Sequence, residues 1–154
     1  MLDLDIRTLL VVTALISMSS ATALIYLWRY QSHSNGAGFW AAGMSCVSIA
    51  SILIIGRGVI PDLLSLVVAN TLYVVGFVLV LRGLRVFTGR PPLLFFDIGL
   101  PPATAALFYY FNYLDQNMNI RIIILSSAFL MICFAITLTL THSKNAPWRS
   151  AGLA

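Results

Sequence analysis

Five stretches of this chain are apolar and long enough to cross a lipid bilayer: residues 8–28, 36–56, 63–81, 92–114 and 122–141. A helix rises about 1.5 Å per residue, so roughly 20 residues match a hydrocarbon core about 30 Å thick. Four of the five hold no charged side chain, and the fourth holds one, Asp97. Lipid offers no water to backbone N–H and C=O groups, so each must be paired inside its own segment. The sequence therefore predicts an all-α fold. Its architecture is a polytopic transmembrane helix bundle of five spans in one membrane domain, residues 1–154, with a possible sixth span starting at 148–154.

Composition closes the soluble alternatives. Of 154 residues, 60% are hydrophobic and 9% charged, against about 25% charged in a soluble domain. So few charges cannot cover a water-soluble globule. The polar connections are each a dozen residues or fewer, too short to hold a separate catalytic domain. The nine Lys and Arg are scattered and do not form the dense basic stripe of a nucleic-acid binder. They read instead as topology determinants that touch anionic headgroups, with the bilayer as partner.

Charge also predicts orientation. If five helices cross, the N-terminal segment, 57–62 and 115–121 share one side and carry three basic residues, Arg7, Arg57 and Arg121. The other side carries six: Arg29, Arg82, Arg85, Arg90, Lys144 and Arg149. Four acids, Asp3, Asp5, Asp62 and Asp115, lie on the first side. Short loops rich in Lys and Arg stay in the cytoplasm. The N-terminus is thus expected outside and the C-terminal end of span five inside, with Arg29, Arg82, Arg85 and Arg90 as determinants. Asp3 and Asp5 ahead of the first apolar run, and Trp28-Arg29 closing it, mark a retained membrane helix rather than a cleavable signal. Aromatic clusters at Trp28, Tyr30, Phe39 and Trp40, and at Tyr109, Tyr110 and Tyr113, suit the two headgroup layers.

Apolar burial cannot drive helix association in lipid, so small residues and interhelical hydrogen bonds must. Span two presents Gly38, Ala42, Cys46 and Ala50 every four residues, and Ser45, Ser48 and Ser51 every three. That pattern places span two centrally. Span one offers Ser17 and Ala21, and span five Ser126 and Ser127. Pro101-Pro102 removes two backbone donors from span four and predicts a kink.

Candidate chemistry is sparse. Asp97 lies just inside span four, where it can pair with Arg82, Arg85 or Arg90, or serve as a ligand or proton site. Asn70 falls within span three, with Tyr73 one turn on, and the two could share a polar pocket. Asn70, Tyr73 and Asp97 are the candidate ligand-binding residues. Cys46 and Cys133 have no neighbouring ligands at metal spacing, so no metal or cofactor is expected. His33 and His142 are lone interfacial histidines. No nucleophile stands beside a base, and no Gly-rich phosphate loop occurs, so no enzymatic activity is expected.

Several helix-end and loop segments recur in a familiar order. They are Leu4-Asp5-Ile6-Arg7-Thr8-Leu9, Trp28-Arg29, Gly38-Phe39-Trp40-Ala41-Ala42-Gly43, Arg57-Gly58-Val59-Ile60-Pro61-Asp62, Leu64-Ser65, Ala69-Asn70, and Gly83-Leu84-Arg85-Val86-Phe87-Thr88-Gly89-Arg90-Pro91. The series covers most of residues 4–92 and resembles the N-terminal membrane module of bacterial GGDEF proteins, the diguanylate cyclases. The resemblance implies a sensory input or anchoring module in the bacterial inner membrane. It also implies further spans, a homodimer, and a cytoplasmic domain that makes cyclic di-GMP from GTP. No Gly-Gly-Asp-Glu-Phe run is present, so the chain is expected to be a fragment. Two other readings stay open: a small transporter or channel subunit using Asn70, Tyr73 and Asp97, and a structural membrane partner without a ligand.

Overall fold

The computed structural model describes residues 6–30, 36–113 and 118–141, which are helical almost throughout. There are five α-helices: α1 (Ile6–Tyr30), α2 (Ala37–Ile55), α3 (Ala69–Phe87), α4 (Leu100–Tyr113) and α5 (Met118–Thr141). A π-helical segment, Leu63–Val68, leads into α3, and another, Phe95–Gly99, leads into α4. Among the described residues four helical stretches are long and apolar enough to cross a membrane: Thr8–Tyr30, Ala37–Ile55, Leu63–Phe87 and Asn119–Thr141. The chain is thus an all-α, multi-pass membrane protein. Of the stretch 92–114, expected as the fourth span, residues 94–113 are helical, but this helix is not among those four. Asp97, the proline pair, Asn112 and three tyrosines dilute its apolar character. The possible sixth span lies outside the described residues.

Span three runs past its expected end. Arg82 and Arg85 were placed in a connection, but both lie in the last turns of α3. Arg is a good helix former, and the first real stop is Gly89, whose φ of 69° is left-handed. Gly89 N–H donates to Val86 O at 3.1 Å and Arg90 N–H to Arg85 O at 2.7 Å. This pair of bonds is a Schellman closure, and it satisfies carbonyls that the helix end would leave bare.

Consecutive helices α1, α2 and α3 pack antiparallel. The α1–α2 seam runs from Trp28 against Gly38 to Ser48 Oγ donating to Ala14 O at 3.3 Å. Ala14, Ser17 and Ala21, spaced three and four residues apart, form the buried stripe of α1. On the α2–α3 seam Gly36 meets Gly83, and Gly43 meets Gly76. That antiparallel register opposes Ala50 to Ala69, and both alanines have no exposed surface. Small side chains every seven residues on both helices let the backbones touch, as lipid-embedded interfaces require. The small face of α2 is therefore Gly36, Gly43 and Ala50. Ala42, expected on it, is exposed, as are Ser126 and Ser127 of α5.

The central helix is α3, not α2. It packs against α2 on one side and against α4 and α5 on the other. Val74, Val78 and Leu81 of α3, Leu100 of α4, and Ala128, Ile132 and Ala135 of α5 form one buried cluster. Arg85 reaches Thr139 near the end of α5, while Asn70 and Arg121, near the beginnings of α3 and α5, share a cavity. So α3 and α5 run parallel, and the chain between them must travel back along the bundle. The segment 95–113 does so. Its prolines do not break it, because the π-helical turn Phe95–Gly99 widens the backbone just before them. Leu100 N–H bonds back five residues to Phe95 O, and Thr104 Oγ1 donates to Leu100 O and Pro101 O. The irregularity expected at Pro101-Pro102 takes the form of this wide turn just before the prolines.

Candidate functional site

Polar groups gather at the two ends of the bundle. At one end stand Arg29, the last turns of α3, the start of the 95–113 helix, and Thr139. The side chains of Arg82 and Asp97 approach to 3.7 Å, with the Asp97 side chain only 9% exposed. The Arg82 guanidinium also lies 5.1 Å from the centre of the Phe39 ring, a cation–π contact across the α2–α3 seam. Arg85 donates through Nε to Pro91 O at 2.7 Å and through Nη1 to Thr139 Oγ1 at 3.2 Å. Thr139 Oγ1 in turn donates to Ala135 O at 2.7 Å. Arg85 thereby ties together α3, the proline-rich turn and the last turns of α5. Beside it lies a cavity of about 340 Å³, whose walls include Arg90, Leu93, Phe96 and Phe134.

The opposite end holds a smaller cavity, about 130 Å³, where α3, α4 and α5 meet the turn after α2. Its polar lining is Arg57, Asn70 and Arg121; its apolar walls include Leu66, Phe108 and Leu125. Asn70 Nδ2 donates to Leu66 O at 2.6 Å, which steadies the π-helical segment and leaves the amide oxygen free to accept. Arg121 Nη1 donates to Asn112 Oδ1 at 2.8 Å, fixing the plane of the guanidinium. Its Nε is buried and without a partner. Among the described residues no acid lines this cavity.

The three candidate ligand residues are not brought together. Asn70 lines the small cavity. Tyr73 faces the other way, towards α2, where its hydroxyl lies 2.6 Å from Ser51 Oγ. Ser51 uses its own proton on Val47 O at 2.9 Å, so Tyr73 is the donor. Tyr73 is a strut between helices, and the shared Asn70–Tyr73 pocket does not form. Asp97 sits at the far end, against Arg82. Arg57 and Arg121 are the residues that sequence reasoning left out. They were counted only as topology residues, although two cations on the acid-rich side were a visible anomaly.

Cys46 and Cys133 are free thiols. Among the described residues no group of three or more His, Cys, Asp or Glu could hold a metal ion. His33 and His142 lie outside the described residues. The chain matches no known family model, no characterised protein and no solved structure.

Proposed function

We propose that this chain is a sensory input or anchoring module of the bacterial inner membrane. It crosses five times, with its N-terminus outside, and acts on a cytoplasmic output domain of the diguanylate cyclase kind. The resemblance over residues 4–92 motivates the output class. Two observations support the crossing number and direction. The parallel run of α3 and α5 supports a return across the bilayer by the 95–113 helix between them. Arg29, Arg82, Arg85 and Arg90 gather at one end, which the positive-inside rule assigns to the cytoplasm.

The observation that carries the reading is the contact between Arg85 and Thr139 at 3.2 Å. It joins the central helix to the end of α5, the point from which any following domain would be moved. A shift of α3 along its axis is then felt where an output domain would begin. The π-helical segments before α3 and α4 are natural places for such a shift, since these wide turns are metastable inserts that often mark functional sites. Pairing of two modules through their membrane helices belongs to the same proposal.

The test is the coding sequence beyond codon 154 together with one substitution. An in-frame output domain whose product level changes several-fold in Arg85→Gln supports the coupling. The absence of such a domain, or an output indifferent to Arg85, refutes it.

A further inference from the structure

The cavity between Arg57, Asn70 and Arg121 presents a charge problem that the chain does not solve by itself. Two guanidiniums line one small space, and among the described residues no carboxylate faces them there. Arg57 is exposed at the mouth of the cavity, whereas Arg121 offers a buried cationic donor without a partner, and leaving such a donor unmet is costly. Arg121 is not free to turn away, because Asn112 holds Nη1 at 2.8 Å. That bond leaves its buried Nε unpaired. Arg57 comes from the turn after α2, and Asn70 from α3. Two separate elements thus bring a guanidinium each to one cavity, with Asn70 of α3 beside them.

The geometry points to an anion site: the cavity binds an oxyanion carried on an apolar body. Arg121 Nε and Arg57 would donate to the anion's oxygens, since the planar guanidinium fork matches carboxylate and phosphate geometry. Leu66, Phe108, Ile122 and Leu125 would hold the apolar part. The volume of about 130 Å³ is that of about four waters at roughly 30 Å³ each, enough for a headgroup-sized anion. The oxyanion can come from an anionic phospholipid or from a soluble amphiphile such as a short-chain carboxylate. This site does not depend on the signalling proposal: anion binding and output coupling can each fail while the other holds.

Arginine footprinting separates these cases on the wild-type chain. The full chain in uncharged detergent is treated with phenylglyoxal, and modification is followed residue by residue by mass spectrometry. The probes are phosphatidylglycerol in the micelle and hexanoate in the buffer. At about ten times the dissociation constant, modification of Arg57 and Arg121 should slow about tenfold, since only the free fraction reacts. Arg90, at the other end, should keep its rate. Protection by phosphatidylglycerol alone identifies a lipid headgroup, and protection by hexanoate identifies a soluble ligand. No protection by either probe, or equal protection of Arg90, overturns the site. Leu66→Trp supplies the second test by filling the cavity without touching a charge. If that variant keeps its helicity and still shows full protection, the cavity is not where the anion sits.

Discussion

The contact between Gly43 and Gly76 offers the sharpest test of how the bundle is held. A Cβ added at Gly43 would lie 2.6 Å from Gly76 O, where ordinary contact begins near 3.4 Å. Gly43→Ala must therefore push α2 from α3 by about 0.8 Å, because a backbone carbonyl cannot rotate aside as a side-chain tip can. Overpacking of this kind costs about 1–3 kcal/mol. Replacing a helical Gly returns roughly 0.5–1 kcal/mol, so the net loss centres on about 1 kcal/mol. The same displacement stretches the Ser51–Tyr73 bond from 2.6 Å towards the limit of a useful O–H···O contact. Reversible unfolding in mixed micelles, titrated with dodecyl sulfate and followed by helical circular dichroism, measures the loss. Ala42→Leu is the control, since Ala42 is on the same helix but exposed, and it should stay within about 0.5 kcal/mol of wild type. A Gly43→Ala variant as stable as wild type, or an Ala42→Leu variant that loses more, would show that the seam is drawn on the wrong face. The pair Gly43→Ala and Gly76→Ala should lose less than the sum of its parts, because the first Cβ already opens the space for the second.

Other expectations follow from single contacts. Ser51→Ala and Tyr73→Phe should each cost about 0.6 kcal/mol, the average for interhelical bonds in membranes; strictly additive losses in a double-mutant cycle would deny the contact. Asp97→Asn should cost less than about 1 kcal/mol, because its partner Arg82 is 41% exposed and such pairs are screened by solvent; a loss of several kcal/mol would mean that Asp97 has a further partner. Cysteines at Val59, which is 91% exposed, and at Pro92 should react with an impermeant maleimide from opposite sides of the membrane. Labelling of both from the same side refutes the five-crossing topology.

How much the sequence revealed depended on what each residue answers to. Helix existence answered to hydropathy alone: three of the expected spans reappear within three residues of their bounds, and span three begins where expected but runs on to Phe87. Helix ends answered to local chemistry that apolar averaging ignores. The arginines at 82 and 85 read as a loop by charge, yet the backbone continues until Gly89 can turn left-handed. Faces were harder. A small residue every four positions along α2 suggests Gly38, Ala42, Cys46 and Ala50; Ala50 does lie on the packed line, but that line continues through Gly43 and Gly36. Only the partner helix, with its matching Gly76 and Gly83, decides between them. The small cavity was illegible for a similar reason: Arg57 and Arg121 are far apart in sequence, and parallel packing of α3 and α5 is what brings their turns together.

The proposed fifth crossing rests on the 95–113 helix, whose hydropathy is too weak to mark it as a span. Its length is adequate: the 14 residues of α4 and the 5 of the π-helical turn rise about 28 Å at 1.5 Å per residue. Its polar residues sit where a proposed crossing can tolerate them. Asp97 is at one end, beside Arg82, and Asn112 is at the other, held by Arg121. Between them Leu100, Thr104 and Phe108, spaced by four, turn one buried stripe towards α3 and α5. Thr104 spends its hydroxyl on its own backbone, on Leu100 O and Pro101 O, so it carries no unmet polar group into the buried stripe. Tyr109, Tyr110 and Tyr113 are about half exposed near the end where the headgroup layer would lie, and amphipathic rings are stable there. A helix packed against two neighbours needs apolar surface only on the remainder of its circumference. If the segment crosses as proposed, its weak hydropathy is that of a helix held between the bundle and the lipid, and isolating it should remove its ability to cross. Residues 92–113 alone, placed in a reporter of membrane insertion, should insert poorly, whereas the same residues following α1–α3 should insert efficiently. Equal insertion in both settings would mean that the bundle contributes nothing to holding this helix in place.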